Sequence, residues 1–107
     1  MSSLRDTMLR LRYFRATRGW EHHHTFGNLA AAIAAEAGEL LDLTLWGNTP
    51  SRDRLADEIA DVLIYTLNLC EITGVDPLVA VEDKITQNEQ RTPTPDGRLL
   101  PYPTVTP

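Results

Sequence analysis

The sequence predicts an all-α protein, and three observations lead to that prediction. Apolar residues recur at intervals of three and four through most of the first 91 residues, which is the spacing of one helix face. No segment alternates apolar and polar residues as a half-buried strand does, and no glycine-rich phosphate-binding loop is present. The 107 residues fit one domain. We therefore expect a helical domain over residues 1–91 and a proline-rich tail over residues 92–107.

The first predicted helix covers about residues 4–18. Its apolar face consists of Leu4, Met8, Leu11 and Phe14. Gly19 is expected to end this helix, because glycine leaves the helical conformation at little cost. After a loop, a second helix is predicted over about residues 28–45, with either Thr25 or Asn28 as its N-cap. Its many alanines favour the helix and allow a neighbouring helix to pack closely.

The third predicted helix is apolar on several sides. Thr49 and Pro50 are expected to start it as N-cap and first-turn residue, and Gly74 is expected to end it after Thr73. An apolar stripe runs along it through Leu55, Ile59, Val62, Leu63, Thr66, Leu69 and Cys70. Further apolar residues lie outside the stripe, at Ala60, Ile64 and Leu67. Such a helix is usually central to a bundle or buried between subunits.

Asp76 and Pro77 are expected to start the fourth helix. Its apolar residues include Leu78, Val81 and Ile85. Five prolines after Arg91 exclude its continuation, so the tail is predicted to be extended or disordered. A domain of this size has a modest stability margin. The sequence therefore predicts a four-helix bundle that completes its core by forming a homodimer or a homotetramer.

Composition and charge argue against several classes of protein. The net charge is −5, and acidic proteins bind nucleic acid polymers poorly because such binding depends on lysine and arginine. No apolar run is long enough to span a membrane, and the N-terminus lacks the layout of a signal peptide. Cys70 is the only cysteine, so an intrachain disulfide is impossible and a reducing, cytoplasmic location is expected.

Two pairs of acidic residues carry the clearest functional signal. Glu36 and Glu39 lie on the second predicted helix, and Glu58 and Asp61 lie on the third. Residues three apart share a helix face, so each pair directs two carboxylates the same way. Glu36 and Glu58 also follow the apolar rhythm of their helices, so these faces are expected to point inward.

Four converging carboxylates repel one another, so either they need a positive partner or some of them stay protonated. Lys84 is the only lysine and lies on the fourth predicted helix. Arginines are concentrated on the first helix, at Arg5, Arg10, Arg12, Arg15 and Arg18. These arginines form either a helix face that contacts solvent or another subunit, or a basic surface that attracts a phosphate-bearing ligand. Oxygen ligands without cysteine favour Mg²⁺, with Mn²⁺ as an alternative.

Two other interpretations of the acids stay open at this point. They are either ordinary solvated side chains or arginine partners, which would leave the helices without a metal. A carboxylate-bridged di-iron site is a further rival, but it normally uses Glu-x-x-His pairs. No histidine lies within the second or third predicted helix, which argues against iron.

The acids belong to a longer series of residues in a fixed order. The series runs through Arg18-Gly19-Trp20, His24, Asn28-Leu29, Glu36-Ala37-Gly38-Glu39-Leu40, Trp46, the segment from Glu58 to Tyr65, Lys84 and Asn88. Over about residues 10–93 the chain resembles the MazG-like and dCTP-pyrophosphatase group of all-α nucleotide pyrophosphohydrolases. The paired acids with a downstream lysine and asparagine are the specific part of this resemblance.

The resemblance implies Mg²⁺-dependent hydrolysis of a (deoxy)nucleoside triphosphate to a monophosphate and pyrophosphate, as a housecleaning reaction of the nucleotide pool. The family's metal-ligand positions are filled by Glu36, Glu39, Glu58 and Asp61. Glu36 or Glu39 would also act as general base. Lys84 and Asn88 match the family's phosphate contacts, where Lys84 would stabilise negative charge in the transition state.

The resemblance also implies a nucleotide pocket. Trp20 and Trp46 match aromatic positions around the base, and His24 matches a histidine near the substrate. Tyr65, one helical turn beyond Asp61, either reaches the base or sugar or caps the core. Both tryptophans also suit a core or a subunit interface. The sequence departs from the family pattern at Gly19, Phe26, Gly27 and Thr92, and none of these departures affects the four acids. The alternative function is a non-catalytic helical module that binds nucleotides or a regulatory partner.

Overall fold

The computed structural model of the chain describes residues 3–47 and 49–91. Within these residues it contains four α-helices and no strand. The helices are α1 (Leu4–Thr17), α2 (Phe26–Asp42), α3 (Arg52–Thr73) and α4 (Pro77–Arg91), with 3-10 turns at Trp20–His23 and Leu45–Gly47. The prediction of an all-α chain with four helices is confirmed. The predicted proline-rich tail falls on residues 92–107, outside the described residues.

Helix α1 has strong local signals at both of its ends. At its start, Ser3 Oγ accepts a hydrogen bond from the Asp6 amide at 3.1 Å, and Asp6 Oδ2 accepts one from the Ser3 amide at 3.4 Å. This reciprocal capping box satisfies two backbone donors that a helix start leaves free. At its end, Gly19 adopts a left-handed backbone with φ of 66°, so the predicted stop at this glycine is confirmed.

The structure decides between the two N-cap candidates of α2. Thr25 is the N-cap, because its Oγ1 accepts a hydrogen bond from the Asn28 amide at 3.2 Å. The Asn28 side chain instead donates to the His23 carbonyl at 2.9 Å, which ties the Trp20–His23 turn to the start of α2. The helix also ends earlier than predicted, at Asp42, because the Leu43 amide bonds three residues back to Leu40 and tightens the chain.

The predicted start of α3 is wrong, whereas its predicted end is confirmed. Ser51, and not Thr49, is the N-cap, because Ser51 Oγ accepts a hydrogen bond from the Arg54 amide at 3.2 Å. The helix ends at Thr73, and Gly74 follows with φ of 74°, a left-handed backbone that glycine adopts readily.

The described chain divides into two compact units, with the boundary between Val75 and Asp76. The second unit contains α4, which starts where the sequence predicts. Asp76 Oδ1 accepts hydrogen bonds from the Leu78 and Val79 amides at 3.0 and 3.1 Å. These bonds cap the first turn and explain why the helix begins at Pro77.

In the first unit, α3 packs against both α2 and α1. An ion pair between Arg12 and Glu71 joins α1 to α3. Leu29 and Leu43 are the buried apolar residues of the described chain, at 1% and 8% exposure. Many large apolar side chains of the described residues therefore keep more than a third of their surface exposed.

No single helix in the described ranges combines the length and the apolar composition required to cross a membrane. Helices α3 and α4 meet these two requirements only when they are counted as one segment across the break between them.

Candidate functional site

Helices α2 and α3 bring acidic side chains together from two parts of the sequence. Glu36, Glu58 and Asp61 each offer a carboxylate oxygen, and these three oxygens lie within 4.8 Å of one another. We call these residues the acidic triplet. Its members are three of the four acids that the spacing predicts to converge, so packing of α2 on α3 produces the expected meeting of the two pairs.

Glu39 is the fourth predicted acid and does not belong to the triplet. It is exposed, one turn beyond Glu36 on α2. Its carboxyl nevertheless lies close enough to Glu36 and Glu58 to raise the pKa of both through hydrogen bonding and charge. Glu39 therefore flanks the triplet.

The triplet is electrostatically unsatisfied without a cation. Glu36 Oε2 and Glu58 Oε2 are buried and lack a hydrogen-bond partner. Partial burial raises the pKa of Glu36 above its ordinary value, and the neighbouring carboxylates of Glu39, Asp61 and Glu58 raise it further. Burial is also the largest cause of the raised pKa of Glu58, which Arg54 opposes only in part. Orphaned carboxylate oxygens in close contact fit a hard divalent cation.

A cavity of about 940 Å³ lies beside the triplet, between α1, the Trp20–His23 turn and α3. Asp61 lines this cavity and also belongs to the triplet. Tyr65, one turn beyond Asp61 on α3, lines it as well. The cavity and the acidic triplet therefore share Asp61.

Aromatic side chains form one wall of the cavity. Trp20 meets the edge of Phe14 at a centroid distance of 5.3 Å and an interplanar angle of 76°. The centroid of the His24 ring lies 6.2 Å from the centroid of the Trp20 ring. The Arg18 guanidinium covers the Phe14 ring at 3.6 Å. Trp20 keeps 44% of its surface exposed, so it has area available to a planar ligand.

The surroundings of His24 favour its neutral form. Burial lowers the pKa of His24 below its ordinary value, and the positive charges of Arg15 and His23 lower it further. Its Nδ1 atom is buried without a hydrogen-bond partner. A neutral imidazole is able to accept or donate one hydrogen bond beside the cavity without adding charge.

The remaining predicted site residues lie elsewhere. Lys84 and Asn88 are one turn apart on α4, in the second compact unit, so they share a helix face. Their phosphate-binding role stays a prediction. Trp46 lies in the 3-10 turn Leu45–Gly47, and its side chain is outside the described residues.

Two residues of the cavity wall, Arg15 and Asn68, were not among the predicted site residues, although Arg15 belongs to the arginine cluster of the first helix. They are 6% and 5% exposed, and Arg15 Nη1 donates to Asn68 Oδ1 at 3.4 Å. The helical spacing of both residues indicated that they face inward. Arg15 follows Leu11 by four residues on the apolar face of α1, and Asn68 follows Ile64 by four on α3. Both polar residues therefore stand on faces that point inward.

Three comparisons place the chain among known proteins. The MazG-like family model matches residues 31–100. The dCTP pyrophosphatase 1 proteins of Mus musculus and Homo sapiens are each 38% identical over 90 residues, which cover 75% of this chain and 53% of theirs. The chain thus spans about half the length of these curated relatives.

A solved structure adds likeness in three dimensions. A pyrophosphatase from Archaeoglobus fulgidus shares 37% identity with a TM-score of 0.76, over 88% of this chain and 95% of that one. The resemblance that the motifs indicate is therefore confirmed independently by sequence and by fold. Since the family model covers more than half of the residues, this chain belongs to the MazG-like family.

Proposed function

We propose that this protein hydrolyses a (deoxy)nucleoside triphosphate to a monophosphate and pyrophosphate in the presence of Mg²⁺. One observation carries the proposal: the acidic triplet, with two orphaned carboxylate oxygens, opens onto an aromatic-walled cavity through Asp61. The names of the relatives support it, because they are dCTP pyrophosphatases and a pyrophosphatase.

Glu36, Glu58 and Asp61 would hold the cation, with Glu39 as a fourth ligand or as a neighbour. Their oxygens suit Mg²⁺, and Mn²⁺ is an alternative with the same preference for oxygen. When bound, the ion supplies positive charge that polarises phosphate oxygens and acidifies water. The chain supplies the negative side chains that position this charge beside the cavity.

Glu39 is our choice for the residue that accepts the proton of the attacking water. It is exposed and flanks the triplet without belonging to it, so it is better placed than Glu36 to meet water. The water oxygen forms a new bond to phosphorus, the bond from that phosphorus to the pyrophosphate oxygen breaks, and the released proton goes to the Glu39 carboxylate. Lys84 and Asn88 are proposed to contact the phosphates.

The cavity is proposed to hold the nucleoside. Trp20 offers a planar surface for stacking, Tyr65 lies one helical turn from Asp61, and neutral His24 is available for a hydrogen bond. Trp46 is proposed as a second aromatic neighbour of the base. This arrangement suits housecleaning of a cytoplasmic nucleotide pool, and it does not require a nucleic acid polymer or a membrane.

We also propose that the working form is a homodimer or a homotetramer. Helix α3 leaves the apolar side chains of Ile59, Leu63 and Ile64 at 41%, 53% and 39% exposure. Helix α2 leaves Phe26 and Leu41 even more exposed, at 66% and 64%. A second copy of the chain would remove this apolar surface from water.

The decisive experiment measures pyrophosphate release from a panel of ribo- and deoxyribonucleoside triphosphates with Mg²⁺. We expect release that EDTA abolishes and that Asp61→Asn reduces strongly. Asp57→Asn is the matched control, because Asp57 is an exposed acid on the same helix outside the triplet. Tight nucleotide binding with no pyrophosphate from any member of the panel would instead indicate the non-catalytic binding module.

A further inference from the structure

Arg18 has no part in the proposed reaction, although it belongs to the series of residues that resembles the family. It directly precedes Gly19 and Trp20 in the chain. Its side chain is exposed, forms no ion pair within the described residues, and is not among the side chains that line the cavity. Nothing therefore supports a direct contact between Arg18 and a ligand in the cavity, and its role is sought in the groups that its guanidinium touches.

The guanidinium of Arg18 is held against the side chain of Phe14. Its central carbon lies 3.6 Å from the centroid of the Phe14 ring, which is a cation–π contact. Its Nη1 atom donates hydrogen bonds to the Phe14 carbonyl at 3.4 Å and to Thr17 Oγ1 at 3.2 Å. Thr17 Oγ1 in turn donates to the same carbonyl at 3.1 Å. The guanidinium is thus fixed at several points and restricts an aromatic ring that is otherwise 39% exposed.

Phe14 is in direct contact with Trp20. The two ring centroids are 5.3 Å apart with an interplanar angle of 76°, an arrangement that aromatic pairs favour. In a continuous helix, residues six apart are separated by about 9 Å along the axis. The left-handed backbone of Gly19, with φ of 66°, instead turns the chain so that Trp20 returns to the Phe14 ring. Both rings line the cavity, so their contact is part of its wall.

An ordered Trp20 ring has a consequence for binding. Trp20 is 44% exposed, so a ring without a neighbour would be free to change its rotamer. Immobilising such a side chain costs free energy when a ligand binds, and a surface that is ordered beforehand avoids this cost. A restriction that passes from Arg18 through Phe14 to Trp20 therefore favours stacking of a planar ligand.

We infer that Arg18 is a positioning residue, which orders the Trp20 ring through Phe14 and keeps it ready to stack on a nucleobase. The nature of the ligand rests on the proposed function, whereas the ordering of Trp20 does not. The competing explanation is that Arg18 only caps the C-terminal end of α1, where a cation and its donors are favourable.

The first test observes Trp20 without a ligand. The chain has two tryptophans, so Trp46→Phe leaves Trp20 as the only one. In this background, Arg18→Met is expected to lose most of the tryptophan signal in near-ultraviolet circular dichroism, while the far-ultraviolet spectrum stays unchanged. Arg5→Met is the matched control, because Arg5 is an exposed arginine of α1 that takes no part in these contacts. A fall in Tm with an unchanged Trp20 signal would show a capping role alone and would overturn the inference.

The second test separates stacking from a phosphate contact. Calorimetry with Mg²⁺ measures the binding of dCMP, of the α,β-imido analogue of dCTP and of inorganic pyrophosphate. Arg18→Met is expected to weaken both nucleotides by a similar factor of about threefold to tenfold and to leave pyrophosphate binding unchanged, because pyrophosphate has no base. Weaker pyrophosphate binding with unchanged dCMP binding would instead indicate a phosphate contact and would contradict the inference. In turnover, KM should rise by the same factor while kcat is retained.

The third test asks whether Arg18 acts through Phe14. Phe14→Leu removes the ring that joins Arg18 to Trp20, so adding Arg18→Met to this variant should not weaken nucleotide binding further. Independent, additive losses from the two substitutions would exclude Phe14 as the connection. Arg18→Lys keeps the charge but not the planar guanidinium, and is expected to preserve Tm while restoring only part of the Trp20 signal.

Failure of the proposed function would give a different result. No triphosphate would then release pyrophosphate, whereas the effect of Arg18→Met on the Trp20 signal is measured without any nucleotide. If pyrophosphate is released and the Trp20 signal does not depend on Arg18, the proposed function stands and the positioning role is wrong.

Discussion

Glu36 and Glu58 come from different helices, and both leave a buried Oε2 atom without a hydrogen-bond partner at the same place. Packing of α2 on α3 brings them together with Asp61, although like charges repel. This arrangement favours either protonation of the carboxylates or binding of a cation between them. The first two predictions follow from this relationship.

Mg²⁺ is expected to raise the thermal stability of the protein, because a ligand that binds only the folded state stabilises it. At a concentration a hundredfold above the dissociation constant, the rise in Tm should be on the order of 10 °C. Glu58→Gln should lose most of this rise, whereas Asp57→Asn should keep it. Equal Mg²⁺ shifts for wild-type protein and Glu58→Gln in differential scanning fluorimetry would argue against the metal site.

The stability of the metal-free protein is expected to fall as the pH rises above the ordinary glutamate pKa. Glu36 and Glu58 have raised pKa values in the folded state, so the folded state binds their protons more tightly than the unfolded state does. The stability that these two residues contribute is therefore greatest below the ordinary pKa, about 4.3 for glutamate, and is lost as the pH rises through the raised values.

The measurement is the free energy of unfolding in urea with EDTA, between about pH 4 and pH 7. The double variant Glu36→Gln/Glu58→Gln cannot titrate at these positions and should show a weaker decline over this range. A decline as steep as that of the wild-type protein would show that other groups control the pH dependence.

Glu39→Gln is expected to lower turnover by about a hundredfold or more, because general bases contribute rate factors of that size. Since Glu36, Glu58 and Asp61 stay in place, this variant should keep a Mg²⁺-induced rise in Tm, and the rise should be undiminished if Glu39 is a neighbour of the metal and not its fourth ligand. The helical circular dichroism spectrum should also stay unchanged, as Glu39 is exposed. Turnover equal to that of the wild-type protein would remove Glu39 from the mechanism.

Light scattering is expected to give a mass of at least twice the 12.0 kDa of one chain at micromolar concentration. The physical reason is the exposed apolar surface of α2 and α3, for which Phe26 and Leu63 are examples at 66% and 53% exposure. Diluting the protein should lower both the mass and the Tm together, because assembly and stability are then linked. A monomer of unchanged Tm across that range would contradict the assembly.

Much of the fold follows from local signals in the sequence. Gly19 and Gly74 end α1 and α3 because both adopt a left-handed backbone, and Asp76 with Pro77 starts α4 through its own hydrogen bonds. The local signals are less decisive where several candidates compete. Ser51 takes the N-cap of α3 instead of Thr49, since the choice depends on which hydroxyl meets a free amide.

The sequence by itself determined that the chain is helical and that two pairs of acids share inward faces. This is possible because helical periodicity and capping depend on residues only three or four positions apart. Tertiary structure decided that Glu36, Glu58 and Asp61 form the triplet while Glu39 flanks it. It also decided that Arg15 meets Asn68 across 53 positions of sequence, because the packing of α1 on α3 sets that contact and no local pattern specifies it.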